Sequence, residues 1–225
     1  MTDRPVIYIT RGQVPDEFER LRRDWYIARH STDVVGFGFL SARGFRAETE
    51  PQNVNIYELP SADLLTEPGY IAMRKADTFS PSVMGSFTYF SAAIYAQDHV
   101  WNAAGKLLDK APSFTGMAAS LLEFDIHPAA GTAPAWFEQA VVRRWAGRKD
   151  ALSFRLWEQR FEHPLFKPKE ARWCGVIEWT GPVDRVAVPL ADAAKDAPGL
   201  SRVRTQIAAK WYGLAREPGI IPKEL

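Results

Sequence analysis

Residues Asn53–Ala76 read NVNIYELPSADLLTEPGYIAMRKA, and the reading of this stretch decides the fold. It opens as an alternating strand, with Val54, Ile56 and Glu58 on one face and Asn53, Asn55 and Tyr57 on the other. Pro60 stops the strand. A short helix starts at Ser61, breaks at Pro68-Gly69 and restarts, so 61–76 is a broken helix.

Upstream, Pro5–Thr10 (PVIYIT) is β-branched and aromatic and predicts a first strand. Asp16, with Glu19 three residues on, suggests a capping box opening a helix through FERLRRDWYIARH. Phe18, Leu21, Trp25 and Ala28 share one stripe of that helix, which should face a sheet, with Arg20, Arg22 and Arg23 facing water. The glycines of VVGFG make Ser31–Gly38 a loop, and 39–48 is a second strand that turns at Glu50–Gln52 into Asn53–Leu59.

Downstream, 77–85 is a loop and Ser86–Asp98 a long fourth strand. Ala92 and Ala93 at its middle either admit a close helix or leave room for a ligand. Residues 99–114 fit a helix ending near Lys110 or a linker, and the halves divide here, as 1–105 and 106–225. The order then recurs: strand Met117–His127, helix Pro134–Lys149, strands 152–161 and 173–180, short helix Leu190–Ala197, strand Arg202–Ala215. Phe18-Glu19 matches Phe137-Glu138, Arg29 matches Arg148, NIYEL matches VIEWT, and Ala92-Ala93 matches Ala208-Ala209, in one shared order.

The expected fold class is α+β. Two ferredoxin-like β-α-β-β-α-β repeats carry helices on one face and bury the other face of each antiparallel sheet against its counterpart, in a barrel with helices outside.

The 225 residues carry a net charge of +1, which gives no support to nucleic-acid binding. No apolar run approaches the ~20 residues of a membrane span, and the N-terminus lacks a signal-peptide pattern, so a cytoplasmic location is expected. The single cysteine, Cys174, has apolar neighbours and is expected to be a small core residue. The four histidines, His30, His99, His127 and His163, show no metal-ligand spacing, and no metal is expected. No nucleotide-binding, phosphate-loop or nucleophile-elbow motif is present, and no cofactor is expected, although one histidine is ligand enough for haem.

His30 closes the first helix and is a candidate acid or base near neutral pH; a helix C-terminal cap is the other reading. Tyr26 lies one turn earlier on the same face and offers either a phenol to the same pocket or a half-buried core ring. Tyr57 and Glu58 point to opposite faces of their strand. Glu58, on the apolar face, is either a carboxyl suited to general-base work or half of an ion pair with Arg43 or Arg46. Trp25, Tyr89, Tyr95 and His99 are expected around a flat organic ligand. Glu123, Asp125 and His127 alternate along one strand, as do Arg155, Trp157 and Gln159, making either a polar row inside the barrel or a solvent-facing edge.

The helix FERLRRDWYIARH ending in His30, the turn VVGFGFLSAR and the segment NIYELPSADLLTEPGYIAM together resemble the EthD-like branch of the dimeric α+β-barrel superfamily, over roughly the first 95 residues. The resemblance implies that the helix-end histidine faces a cleft between helices and sheet. In the second half Lys149 stands in its place. The superfamily spans cyclases, isomerases, monooxygenases, lyases and haem peroxidases, so the fold alone does not select an activity. The expected function is a cofactor-independent lyase, isomerase or cyclase acting on an aromatic or polyketide-like compound. A non-catalytic binding protein and a haem- or oxygen-dependent oxidoreductase are the alternatives. A homodimer through exposed sheet edges is a further expectation.

Overall fold

The structure is a computed structural model that describes residues 4–183, 190–195 and 197–215. Residue 196, inside the expected helix Leu190–Ala197, lies outside the described residues. Eight antiparallel strands, β1 (Val6–Gln13), β2 (Ser41–Ala47), β3 (Asn53–Leu59), β4 (Tyr89–Asn102), β5 (Ala118–Ile126), β6 (Ala151–Phe161), β7 (Trp173–Trp179) and β8 (Leu200–Ala215), close into one barrel. Around the barrel the order is β1-β3-β2-β8-β5-β7-β6-β4. The first four strands make one arc and the last four the other, joined along β2–β8 and β4–β6. A closed barrel has no open strand edge, so the expected edge-to-edge pairing of two chains has no edge to use.

Period-two alternation sorts the side chains. Ile7, Ile9, Val54, Ile56, Phe45, Tyr95, Leu121, Trp157, Cys174 and Val176 fill the barrel. The opposite faces carry helices. Over the first arc lie α1 (Asp16–Trp25), a π-helical turn (Tyr26–His30), α2 (Ser31–Phe37), α3 (Pro68–Ala76) and α4 (Ser80–Met84). Over the second lie α5 (Ala133–Phe137), a second π-helical turn (Glu138–Val142) and α6 (Arg143–Trp145); α7 (Ala191–Ala194) precedes β8. No helix among the described residues is long and apolar enough to cross a membrane.

The strand–broken-helix segment forms as read: β3, a 3-10 turn at Ala62–Thr66 capped by Ser61, then α3 opening at Pro68. Other expectations are corrected. Ser31–Phe37 is helical rather than part of a loop, because buried Val34 and Val35 anchor α2, and Gly38, at φ +151°, ends it. No side chain caps α1; Glu19 instead holds Arg22 (2.8 Å) and Arg46 (3.1 Å). The buried stripe is Arg22, Trp25 and Tyr26, while Phe18 and Leu21 are each 39% exposed. Arg22 is buried because its charge is paired and its guanidinium lies 5.2 Å from the Trp211 ring centroid. The fourth strand runs on to Asn102, and 103–106 form a turn rather than a helix. The loop 77–85 contains α4.

Two polar clamps sit inside the barrel. Glu58 accepts from Arg43 Nη1 (2.7 Å), Ser41 Oγ (2.7 Å) and the Phe114 backbone N–H (3.0 Å). Glu178 accepts from Arg155 Nη2 (2.9 Å), Ser153 Oγ (2.7 Å) and the Gly116 N–H (2.6 Å). The connector between the arcs is thus pinned by a carboxylate from each. The expected polar rows divide: Glu123 and Arg155 are buried, Glu123 against Arg11 (2.6 Å), while Asp125 pairs with Arg202 at the surface.

Candidate functional site

A cavity of about 620 Å³ opens on the outer face of the first arc, between α1–α2, α3 and the strands β1 and β3. Its floor is set by alternation. Tyr8 and Thr10 on β1 face the same way as Tyr57 and Asn55 on β3, and Tyr8 is directly opposite Tyr57 in the strand register. The two phenol rings stack at 5.3 Å. Phe39, Leu65, Ile71, Met84, Phe87 and Phe90 supply apolar walls. The Phe87 ring sits against Gly12, where a Cβ would fall inside the ring's van der Waals radius. The far wall comes from the other half of the chain. His163, Pro164, Leu165 and Phe166, on the β6–β7 loop, reach the cavity because β6 pairs with β4.

The π-helical turn brings His30 into this space. One extra residue in the turn rotates it off the α1 register. Its ring stacks on Trp25 (centroids 4.5 Å apart), and Trp25 in turn donates to Ser80 Oγ (2.8 Å). Nε2 of His30 lies 3.1 Å from the Tyr57 hydroxyl and Nδ1 lies 3.3 Å from Arg74 Nη1. A guanidinium only donates, so Nδ1 is the acceptor and Nε2 carries the proton. His163 is held the same way. Its Nδ1 accepts the backbone N–H groups of Leu165 (3.0 Å) and Phe166 (3.2 Å), so Nε2–H donates to the Tyr8 hydroxyl at 3.1 Å. Each tyrosine oxygen therefore accepts from an imidazole; the Tyr8 O–H remains to be donated, while the Tyr57 hydroxyl also meets those of Tyr26 and Thr10.

Both imidazoles are neutral. Burial, reinforced by Arg74, pushes His30 down to about 3, and burial pushes His163 down to about 4. The Tyr8 and Tyr57 phenols are raised, chiefly by burial, and stay protonated. This end of the cavity is a cluster of neutral donors beside one cation.

Of the residues singled out in the sequence, His30, Tyr57 and Trp25 line the cavity. Tyr26 is fully buried behind them, touching the His30, Tyr57 and Trp211 rings. Glu58 is on the opposite face of β3, inside the barrel in the Arg43 clamp, which is the ion-pair reading. Tyr95 is likewise inside the barrel. His99 stacks on Trp101 and Tyr89 lies under Lys169, both away from the cavity. Tyr8, His163 and Arg74 escaped sequence reasoning. Only the apolar run HPLF in a proline-rich loop hinted that His163 was covered by something. At the matching place over the second arc a side chain takes up space. Phe137 presses against Gly175, leaving no room for a Cβ, and packs with Trp101 and Trp145 in a continuous core.

Among the described residues no group of three or more His, Cys, Asp or Glu side chains could hold a metal ion. Haem does not fit this cavity's donors either. An axial ligand needs a free imidazole nitrogen, and both nitrogens of His30 and of His163 are already engaged.

No protein-family model matches the sequence, and no curated protein matches it. Solved structures do. An anthrone oxidase-like protein matches with a TM-score of 0.61 at 11% identity, covering 95% of this chain and 93% of that one. A "putative monooxygenase" from Lactobacillus acidophilus NCFM matches at 0.58 and 10% identity, over 94% and 96% of the two chains. One so described from Fusobacterium nucleatum subsp. nucleatum matches at 0.55 and 12%, over 96% of each. The likeness shows that this chain has their fold: one polypeptide closed into an eight-stranded α+β barrel with helices outside.

Proposed function

We propose that the chain is an enzyme that binds a flat aromatic or polyketide-like molecule in the cavity and acts on it through an enol or phenol oxygen. The observation that carries this reading is the pair of stacked tyrosines, each backed by a neutral imidazole N–H, at one end of an otherwise apolar cavity. A carbon acid beside a carbonyl loses its proton more readily when preplaced donors hold the enolate oxygen. Tyr57 and Tyr8 are those donors, and His30 and His163 position them. With the imidazole lone pairs engaged, the carbon-bound proton passes to water at the cavity mouth. That chemistry serves a lyase, isomerase or cyclase step without a cofactor.

A second reading, oxygen-dependent oxidation of the same bound enolate, is favoured by the names of the fold neighbours. A thermal-shift screen of phenols, aromatic acids and lactones finds the ligand class, because a ligand well above its dissociation constant raises the melting temperature. Turnover of a hit in air and under nitrogen then separates the two readings. Ligand binding without turnover in either gas would leave a non-catalytic binding protein. Full turnover by Tyr8→Phe/Tyr57→Phe would refute the donor roles of the two tyrosines.

We further propose that the chain is an internal duplication of the EthD-like kind, divided near residue 105. Each arc keeps the strand order 4-1-3-2, and the Ser41–Arg43–Glu58 clamp has a counterpart in Ser153–Arg155–Glu178. On this view Tyr26–His30 corresponds to Glu138–Val142, two helical turns from the Phe18–Phe137 match read in sequence. A cytoplasmic enzyme, dimeric through its helical layer, completes the proposal. Sedimentation at micromolar concentration tests the dimer.

A further inference from the structure

The cavity wall contains two cations and no carboxylate. Arg74 and Lys75, in the last turn of α3, both line it, and Asp and Glu are missing from its lining. Neither cation has an ion-pair partner among the described residues. Arg74 spends one donor on His30 Nδ1. A guanidinium has five N–H groups in a fork that matches a carboxylate. The nearby Asp77 carboxylate is occupied by the Phe79 and Ser80 backbone N–H groups (3.0 Å each) and the Ser80 hydroxyl. Asp33, on α2, is exposed and outside the cavity. Arg74 is half-buried and Lys75 exposed, and Asp77 and Asp33 act on Arg74 only through space, so the guanidinium fork keeps donors for an anion that enters the cavity.

Resting on the function proposed above, we infer that the ligand is an aromatic acid, with a carboxylate seated on Arg74 and steered by Lys75, and a neighbouring hydroxyl or carbonyl oxygen on Tyr57. The two anchors are separated by the His30 imidazole, which touches both. This spacing suits an acid group and an oxygen on adjacent or nearby ring carbons. A monoanion suits the place better than a phosphate. The cations stand at the C-terminal end of α3, whose carbonyls offset part of their charge.

Calorimetric titration of the full chain at pH 7 with 3-hydroxy-2-naphthoate and with 2-naphthol tests the inference, in wild type, Arg74→Gln and Lys75→Gln. The amide introduced by Arg74→Gln can still donate to His30 Nδ1, so the tautomer survives, and a thermal melt of each variant checks the fold. Wild type is expected to bind the naphthoate about tenfold or more tighter than the naphthol, as a charge-assisted fork does over a neutral contact. Arg74→Gln is expected to abolish that preference while leaving naphthol affinity within about twofold, and Lys75→Gln to lose less and to lose its effect in high salt. Equal binding of both probes, or a preference that survives Arg74→Gln, overturns the acid anchor and leaves the aromatic cavity standing. Binding of neither probe overturns the proposed function and the anchor with it.

Discussion

Replacing Glu58 by Gln separates a structural carboxylate from a catalytic one. Its side chain is 1% exposed and that of Arg43 7%, with 2.7 Å between the charged atoms. Gln keeps the shape, but its single acceptor oxygen replaces only one of the two carboxylate oxygens that take Ser41 and the Phe114 N–H separately, and Arg43 is left buried without a counter-charge. Breaking a buried pair from one side costs about 3–5 kcal/mol. For a chain of this size that is a fall in melting temperature of about 6–20 °C. Removing both charges, in Arg43→Met/Glu58→Gln, is expected to recover more than half of the loss. Urea unfolding followed by tryptophan fluorescence gives the four corners of the cycle. Affinity for 2-naphthol, measured well below the melting temperature, is expected to be unchanged in all four, because the carboxylate faces away from the cavity. A Glu58→Gln protein as stable as wild type would refute the clamp. One that stays folded but loses the ligand would return Glu58 to the active site.

Three further outcomes follow from the geometry. Removing either oxyanion donor, by Tyr57→Phe or Tyr8→Phe, should lower kcat by about 10²–10³-fold with little change in melting temperature, measured on whichever ligand the screen supplies. Acidification should destabilise the protein in part through its two cavity imidazoles. Folded, they are depressed to about 3 and about 4, so between pH ~6.5 and those values only the unfolded chain takes up their protons, and stability falls by up to ~1.4 kcal/mol per pH unit for the buried His30 and by less for His163, which solvent screens. The His30→Gln/His163→Gln protein should show a shallower acid slope in urea midpoints taken at pH 7, 6 and 5; equal slopes would mean the imidazoles are not held neutral. Cys174, buried and pushed up to about 12 chiefly by burial, should resist a thiol reagent at pH 8 until the protein is unfolded.

The first strand and the strand–broken-helix segment were legible in the chain itself, because alternation and proline placement act between residues close in sequence. The same local rules set Tyr26 beside His30, whereas Trp25 reaches the His30 ring, five residues on, only through the π-helical turn. They failed where a distant partner outweighed a local preference. Arg22 is buried through Glu19 and Trp211, and Ser31–Phe37 is helical through the anchoring of Val34 and Val35. Helical periodicity also placed His30 one residue out of phase, because it does not foresee a π-helical turn.

What the sequence determined alone is which faces of its strands and helices could shed water. Which of those faces became a ligand cavity was decided only when β4 met β6. That pairing carried His163 across to Tyr8 and closed the pocket with a loop 155 residues away in sequence. The second arc filled its own space with Phe137 against Gly175. Barrel closure is a contact between residues far apart along the chain, and no short-range pattern records it.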